Sequence, residues 1–243
     1  MQDSVSTTEA AEILGVSEAS VRRWGDAGVL AMQRVGRRRR FRRDDVTAFL
    51  EAADHSARGQ GSRRVQLAGA TVLAGAHLAT FYTSDAGRLR IAVPFLRDGL
   101  ALGEACFLIA SGSVRDQYIK ALERELGGRL AEATLRGQFV TEIAPGGTVD
   151  AAITFWRERV PAAALKAGRT PVRIVGDMAC VKNAFATVNE MLTFEQMFTV
   201  MSKRLPSVAI CQYDVREFDG PSVVEAIKAH PDVFDVGLGK LID

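Results

Sequence analysis

Seven of the ten residues in the segment RVGRRRRFRR, at positions 34–43, are arginines. A run of arginines is often a solvated tail or a localisation signal. Here apolar residues alternate before and through the run, and Gly36-Arg37 interrupts the pattern. The alternating residues are Val29, Leu30, Met32, Val35 and Phe41. This alternation predicts a two-stranded hairpin with a basic tip, and Asp44 or Asp45 can cap a helix after it.

The segment before the hairpin, STTEAAEILGVSEASVRRWGDAGVL, has the spacing of a helix-turn-helix. Ser6 or Thr7 can cap a first helix, because their side-chain oxygens accept hydrogen bonds from first-turn N–H groups. Gly15 ends that helix, since glycine adopts a left-handed backbone without steric cost. Ser17 caps a second helix over residues 18–27. Ser20, Arg22 and Arg23 give this second helix a polar face that can reach a groove in DNA.

The marks TTEAAEILGVSEASVRRW, Gly28 and FRRDDVTAFL, within residues 5–53, make this segment resemble the winged helix-turn-helix of the MerR and excisionase families. The resemblance implies that the second helix enters the major groove and that the hairpin, or wing, follows the phosphate backbone. Helix arginines can read guanine edges, whereas wing arginines mostly neutralise phosphates. The implied DNA-binding residues are Ser17, Ser20, Arg22, Arg23, Arg34, Arg37, Arg38, Arg39, Arg40, Arg42 and Arg43. We expect about half of them to touch double-stranded DNA, because alternation points the others away.

Positive charge is concentrated in this part of a chain whose overall net charge is only +2. Residues 17–43 hold nine arginines against two acidic residues, whereas residues 65–243 hold nineteen basic and twenty acidic residues.

The length of 243 residues fits two domains. The polar stretch HSARGQGSRRVQ is the natural linker. We therefore predict a winged helix-turn-helix domain at 1–54, a linker at 55–66 and a second domain at 67–243.

Several protein classes are disfavoured by the sequence. It contains neither the roughly twenty consecutive apolar residues of a membrane span nor the apolar core of a signal peptide. Its three cysteines, Cys106, Cys180 and Cys211, are too widely spaced for a disulfide framework or a CxxC metal site. We expect a cytoplasmic protein that makes no membrane contact and holds no metal or cofactor.

From about residue 67, short apolar strands alternate with amphipathic helices. The predicted strands are 77–82, 105–111, 139–143, 172–178 and 207–214, and the predicted helices are 85–102, 113–126, 148–167, 184–204 and 220–230. Near-continuous apolar strands separated by helices favour a mainly parallel sheet that is covered on both faces. The expected fold is thus a small, mainly α winged helix-turn-helix followed by an α/β domain. By default, a ligand would bind at the carboxyl ends of the strands.

The succession H-x-x-x-F-Y, PFLRDGLALGEACFLIAS, VRIVGDM and AICQYDVREFDGPSVVEAIKAHPDVF, over residues 75–236, resembles the MEDS family of DcmR-like sensory domains. The resemblance implies a RecA/KaiC-like fold that senses a small apolar, one-carbon or halogenated molecule; a dichloromethane-responsive regulator of this family joins a helix-turn-helix to the same domain. A phosphate-binding loop would need the pattern G-x-x-x-x-G-K-[ST], but the segment after the first strand is YTSDAGRL. Nucleotide hydrolysis is therefore not expected, whereas nucleotide binding without hydrolysis stays open.

The MEDS resemblance also implies a set of ligand-binding residues at strand ends. These are His77, Phe81, Tyr82, Asp177, Cys211 and Tyr213. Aromatic rings beside one histidine and one carboxylate suit a small, mostly apolar pocket with a polar anchor. The alternatives are a core position for Phe81, a buried hydrophobic role for each cysteine, and a structural hydrogen bond for His77. Ala79 stands where the family often has cysteine, which argues against thiol or metal chemistry there.

The remaining histidines suggest no constellation, because His55 lies in the linker and His230 near the end of the last helix. Three functions compete: a ligand-responsive transcriptional regulator, an excisionase-like or architectural DNA-binding protein whose second domain only mediates assembly, and an enzyme. The enzyme hypothesis lacks any recognisable catalytic motif.

One helix-turn-helix covers a half-site, so we expect a homodimer on an operator with paired half-sites. The favoured dimer surface is the helix at 184–204, with Val188, Met191, Leu192, Phe194, Met197, Phe198 and Met201.

Overall fold

The computed structural model describes residues 4–14, 18, 21–22, 25, 30–36, 38–48, 64–142, 144 and 147–242. The chain divides into two compact units, residues 1–60 and residues 61–243. The predicted fold class, a helix-turn-helix region followed by an α/β domain, is confirmed by the elements of the two units. Its likeness to RecA/KaiC folds stays an implication of the family resemblance.

The N-terminal unit contains a three-stranded antiparallel sheet in the order β1-β3-β2. Its labelled elements are β1 (Ser4–Ser6), α1 (Thr7–Leu14), β2 (Met32–Val35) and β3 (Arg38–Arg42), and residues 43–48 are also helical. Strands β2 and β3 confirm the predicted hairpin. The short strand β1 was not predicted.

A reciprocal pair of hydrogen bonds fixes the start of α1. The Ser6 hydroxyl accepts from the Glu9 backbone N–H at 3.2 Å, and the Ser6 N–H donates to Glu9 Oε2 at 2.7 Å. This is a capping box, which confirms Ser6 as the cap. The helix after the wing starts at residue 43, so the prediction that Asp44 or Asp45 caps it is wrong. Both residues lie in its first turn, where a carboxylate interacts favourably with the positive end of the helix dipole.

Phe41 fixes the wing to the rest of the N-terminal unit. It pairs with Val5 of β1 and Met32 of β2, and its side chain is fully buried. A Cβ atom added at Gly25 would lie 3.1 Å from the Phe41 ring. Because side chains alternate along a strand, burying Phe41 points Arg40 and Arg42 to the opposite face of β3.

The C-terminal unit is built on a five-stranded, wholly parallel sheet in the order β6-β10-β9-β7-β8. Its strands are β6 (His77–Tyr82), β7 (Cys106–Ile109), β8 (Phe139–Glu142), β9 (Val172–Asp177) and β10 (Ser207–Asp214). All five were predicted to within a few residues. A separate hairpin, β4 (Arg64–Leu67) and β5 (Ala70–Leu73), was not predicted. Residues 64–66, assigned to the linker from the sequence, belong to this hairpin, because Val65 and Leu67 alternate into the core.

Eight labelled helices accompany these strands. They are α2 (Asp85–Ala101), α3 (Gly112–Leu126), α4 (Gly128–Leu135), α5 (Val149–Ala167), α6 (Met178–Val181), α7 (Val188–Ser202), α8 (Gly220–Ala229) and α9 (Val233–Val236). The five predicted helices correspond to α2, α3, α5, α7 and α8, whereas the shorter α4, α6 and α9 were missed. Among the residues described, no helix is long and apolar enough to cross a membrane.

Strand register gives the sheet two chemically different faces. On the first face, His77 lies beside Ala209, and Cys211 lies beside Gly176. Helices α5 and α7 cover this face; Trp156 of α5, for example, meets the Phe107 ring edge-on at 5.7 Å. On the second face, Gln212 lies beside Asp177 and contacts α3 through Tyr118.

Helix α7 lies against the core of its own unit. Five of the seven apolar residues proposed for a dimer surface are buried: Met191, Leu192, Phe194, Met197 and Phe198. The prediction that this helix provides the dimer contact is therefore wrong for those residues. Its apolar stripe covers the first face of the sheet instead, an alternative that periodicity cannot distinguish from an exposed interface.

The second face contains a buried ion pair beneath α2. Arg173 Nε donates to Glu104 Oε2 at 2.6 Å, and Arg173 Nη1 donates to the Phe95 carbonyl at 2.7 Å. The guanidinium stem crosses α2 at Gly99, where an added Cβ would lie 2.5 Å from Arg173 Cδ and 2.9 Å from Cys106 Sγ. Only glycine leaves enough room at that crossing.

We therefore expect Gly99→Ala to lower the free energy of unfolding by about 1–3 kcal/mol, because the new methyl overpacks the site. Helix propensity alone would predict the opposite, a gain of about 0.5–1 kcal/mol. Gly128→Ala, where an added Cβ meets nothing within 4 Å, is the matched control and should not destabilise the chain. Urea unfolding of both variants measures the effect; equal stabilities would contradict the tight crossing.

Candidate functional site

The predicted DNA-contact residues that are described lie on the wing, at the start of the helix that follows it and at Arg22. Arg38, Arg40 and Arg42 share the face of β3 opposite Phe41, and Arg38 and Arg42 are exposed. Arg42 also lies 3.7 Å from Asp44. Arg34 and Arg43 are exposed and Arg39 is half-buried, whereas Ser17, Ser20, Arg23 and Arg37 lie outside the described residues.

Arg22 is exposed and forms an ion pair with Glu18, one helical turn earlier. Glu18 also accepts a hydrogen bond from the Thr8 hydroxyl at 2.7 Å, which links it to α1. An exposed pair of this kind contributes little free energy, typically about 0–1 kcal/mol. Breaking this ion pair therefore costs little free energy.

Four buried side chains converge on the first face of the sheet, and we call them the HCEH cluster: His77, Glu195, Cys211 and His230. His77 begins β6, Glu195 lies in α7, Cys211 in β10 and His230 at the end of α8. His77 Nε2 lies 3.1 Å from Cys211 Sγ, 3.1 Å from His230 Nε2 and 3.4 Å from Glu195 Oε2. His230 Nε2 lies 2.9 Å from Glu195 Oε2.

The position of His230 corrects the sequence analysis, which found no constellation of this residue with His77. The two are 153 positions apart. Motif spacing detects only residues that are close along the chain. The parallel pairing of β6 with β10, by contrast, brings the start of β6 beside the end of α8. The missed Glu195 had a local signal, because it is a carboxylate between buried residues of an apolar helix.

Hydrogen bonds outside the HCEH cluster fix the tautomers of both imidazoles. Thr199 Oγ1 lies 2.6 Å from the Ala229 carbonyl and uses its own proton there, so it accepts from His77 Nδ1 at 2.8 Å. His230 Nδ1 donates to the Ala226 carbonyl at 2.7 Å. With both Nδ1 atoms protonated, a neutral ring has its lone pair at Nε2. Both Nε2 atoms face Glu195, and that of His77 also faces Cys211.

Burial controls the protonation of the HCEH cluster. Burial and the neighbouring His230 lower the pKa of His77 to about 4. Burial raises the pKa of Glu195, but contacts with the two imidazoles outweigh burial and hold that pKa below its usual range. Burial raises the pKa of the Cys211 thiol. The 2.9 Å contact between His230 Nε2 and Glu195 Oε2 places one proton between these two atoms.

An apolar cavity of about 40 Å³ adjoins the HCEH cluster on the first face. Its wall consists of Ile109, Ala144, Ala152, Trp156, Ile174, Gly176, Met178, Val181, Phe185, Phe194, Glu195, Phe198, Ala209 and Cys211. Ile109 ends β7 and Gly176 lies near the end of β9, neighbouring strands from which the chain continues toward opposite edges of the sheet. Parallel α/β sheets bind ligands at this kind of switch point.

A second polar cluster lies on the opposite face. The Tyr82 hydroxyl donates to Asp177 Oδ2 at 3.1 Å, and the Tyr118 hydroxyl lies 2.5 Å from Gln212 Oε1 and 3.3 Å from Asp177 Oδ2. Arg88 Nη1 approaches the same carboxylate at 3.9 Å. Within the part of the chain that the structure describes, Asp177 Oδ1 has no hydrogen-bond partner.

The predicted ligand residues are thus divided between the two faces. Cys211 lines the cavity and His77 contacts Cys211, while Phe81 and Tyr213 stack nearby with ring centroids 5.5 Å apart. Tyr82 and Asp177 belong to the second face and do not line the cavity. Alternation along β6 could have shown this separation, because His77 and Phe81 are an even number of residues apart and Tyr82 is the next residue.

Comparison with known proteins agrees with this architecture. The MEDS profile, described as the methanogen/methylotroph, DcmR sensory domain, matches residues 76–231, which is more than half of the chain. This chain belongs to the DcmR-like helix-turn-helix–MEDS family. A helix-turn-helix domain profile matches residues 4–54. The transcriptional repressor DcmR of Methylorubrum extorquens (strain DSM 6343 / CIP 106787 / DM4) is 32% identical over 246 residues, covering 96% of this chain and 92% of that protein.

In this DcmR-like chain, the second-face cluster predicts a pH dependence of stability. Burial raises the pKa of Asp177. In the unfolded chain this carboxyl has a pKa of about 3.9. Because its pKa is higher in the folded protein, the free energy of unfolding falls as pH rises from about 3.9 toward the folded pKa. Asp177→Asn removes the titrating group, so the stability of this variant relative to the parent should increase between about pH 4 and pH 7. Urea unfolding at both pH values tests this; a constant difference would contradict a raised pKa.

Proposed function

We propose that this chain is a ligand-responsive, DNA-binding transcriptional regulator. Its wing and second helix bind DNA, and its C-terminal unit binds a small effector in the first-face cavity. The observation that carries the proposal is an apolar cavity at the switch point of the parallel sheet, in a chain that also has an arginine-rich wing. The name of its relative, a transcriptional repressor, supports repression as the mode of action.

The cavity wall indicates the chemical class of the effector. The wall is apolar except at Glu195 and Cys211. Ligand binding would therefore be driven mainly by the removal of apolar ligand surface from water. A volume of about 40 Å³ accommodates roughly three water-sized groups. A hydrocarbon or halogenated one-carbon molecule of a few heavy atoms fits these limits. We propose Cys211 as a direct contact and His77 as its hydrogen-bonded support.

The effector can regulate DNA binding only by preferring one arrangement of the protein over another. A coupling free energy of about 1–3 kcal/mol is ordinary for such systems. Regulation also requires useful DNA affinity, and a single helix-turn-helix covers only a half-site. We therefore propose a homodimer on paired half-sites, whose contact surface is not the buried stripe of α7.

The first test concerns the wing. Arg38→Ala and Arg40→Ala should weaken binding to specific and nonspecific DNA alike and reduce the salt dependence, because each removes a phosphate contact. Arg22→Ala should cost about 1–3 kcal/mol mainly on the specific site, because a helix arginine reads base edges. The measurement is a salt titration on an operator obtained by in vitro selection and on a scrambled fragment.

Arg136→Ala is a suitable control, since this exposed residue of the C-terminal unit pairs only weakly with Glu132 at 3.6 Å. Its DNA affinity should equal that of the parent chain. If the Arg38, Arg40 and Arg22 variants also bind both fragments like the parent, the DNA-binding half of the proposal fails.

The second test concerns the cavity. Gly176→Val should abolish the response of DNA binding to dichloromethane and leave ligand-free DNA binding intact. A Cβ atom at Gly176 would lie 3.7 Å from Met178 Sδ and 3.9 Å from Val181 Cγ2, which are ordinary contacts, so the added methyl groups occupy cavity space rather than strain the backbone. Fluorescence anisotropy of labelled operator, with and without dichloromethane, measures the response.

Thr80→Val is the matched control on the same sheet. Thr80 is buried beside Gln212 on the second face, and its hydroxyl has no hydrogen-bond partner among the described residues. This variant should respond like the parent. A normal response in Gly176→Val would locate the effector elsewhere. If dichloromethane, chloroform and methanol all fail to bind the parent chain saturably, the architectural hypothesis gains support instead.

A further inference from the structure

We propose that the HCEH cluster is a binding site for one divalent transition-metal ion of the zinc type. The four donor atoms would be His77 Nε2, Glu195 Oε2, Cys211 Sγ and His230 Nε2, which all lie within 4.8 Å of one another. The proposal concerns the fold of the C-terminal unit and does not depend on the proposed regulatory function.

The donor geometry approximates the coordination shell of zinc. Bond lengths of about 2.0–2.3 Å to nitrogen, oxygen and sulfur give a tetrahedron whose edges are roughly 3.3–3.8 Å. The distances from His77 Nε2 to the other three donors are 3.1, 3.1 and 3.4 Å. An ion at the centre would require these close pairs to separate by a few tenths of an ångström, whereas all four donors already lie within 4.8 Å of one another.

The hydrogen-bond pattern also makes the two Nε2 atoms and Glu195 Oε2 converge. Both imidazoles use Nδ1–H as donors outside the cluster, so two Nε2 lone pairs and one carboxylate oxygen face each other at 2.9–3.4 Å. Lone pairs at such distances repel unless a proton or a metal ion lies between them. In the metal-free chain, protons of Cys211 and Tyr213 and a proton shared by His230 and Glu195 can pair these atoms, and a metal ion would take the place of those protons. A proton bridges two atoms, whereas a single metal ion satisfies four converging donors.

Charge balance favours a divalent ion in this fully buried position. All four side chains are buried. On binding, the Cys211 thiol loses its proton to solvent, and the resulting thiolate and the Glu195 carboxylate together carry two negative charges. A divalent ion neutralises both, and the two imidazoles contribute no charge. The mixed nitrogen, sulfur and oxygen donors suit zinc or cobalt rather than the oxygen-seeking Mg²⁺ or Ca²⁺.

The surrounding hydrogen bonds match those that support metal-binding histidines. Such residues donate their second ring N–H to a carbonyl or another acceptor, which fixes the ring and raises its basicity. His77 donates to Thr199 Oγ1, and His230 donates to the Ala226 carbonyl. Because Cys211 and Glu195 also line the cavity, the ion would lie at the wall of the proposed effector site.

The full-length chain, stripped with a chelator and reconstituted with Co²⁺, provides the test. We expect one Co²⁺ per chain, a thiolate-to-cobalt charge-transfer band and the visible bands of a four-coordinate ion. Cys211→Ser should remove the charge-transfer band, and His230→Gln should weaken metal binding. Cys106→Ser is the matched control, because Cys106 is also buried but lies on the second face beside Arg173; it should keep the parent spectrum.

A positioning test separates metal binding from a structural role of the HCEH cluster. Thr199→Val preserves side-chain shape but removes the acceptor for His77, and we expect zinc affinity to fall by about 10–100-fold in a chelator competition assay. The proposal is overturned if the parent chain binds neither Zn²⁺ nor Co²⁺ stoichiometrically. It is equally overturned if Cys211→Ser keeps the charge-transfer band, and circular dichroism ensures that the compared variants are folded.

Discussion

The pairing of β10 with β6 on one side and β9 on the other is the constraint on which the C-terminal unit depends. All eight residues of β10 are buried, so its backbone groups must be satisfied by these two neighbours rather than by water. The register is therefore fixed. A slip of one residue would move Cys211 to the second face and Gln212 to the first, which would destroy both polar clusters.

This register separates two kinds of chemistry on one sheet. The first face combines an apolar cavity with the HCEH cluster, whose donors come from two strands and two helices. The second face holds a polar network around Asp177, which is formed with two tyrosines, Arg88 and Gln212.

Patterns within single segments explain what the sequence could predict. Capping at Ser6, the alternation around Phe41 and the apolar strands of the sheet are local signals, and the structure contains the corresponding elements. The short α4, α6 and α9 were missed because elements of four to eight residues leave little periodicity. The surface that α7 packs against could not be predicted, because its apolar stripe fits the core of its own unit and a dimer interface equally well.

The site was predicted less completely, because it depends on contacts between distant segments. The family motifs supplied His77 and Cys211, yet Glu195 and His230 reach them only through the packing of α7 and α8 on the first face. The same motifs grouped Tyr82 and Asp177 with residues that the sheet places on the other side. Strand alternation within β6 contained that information, whereas the partnership of His230 with His77 required the topology of the sheet.

If the first-face cavity receives the effector, a halogenated one-carbon molecule should be found inside it in crystals of the full chain. The most direct measurement is the anomalous diffraction of bromine from crystals of the full chain soaked with dibromomethane, a heavier analogue of a halogenated one-carbon ligand. We expect bromine peaks between Trp156, Gly176 and Phe198, next to Cys211. Peaks beside Tyr82, Tyr118 and Asp177, or none within the C-terminal unit at saturating ligand, would contradict this expectation.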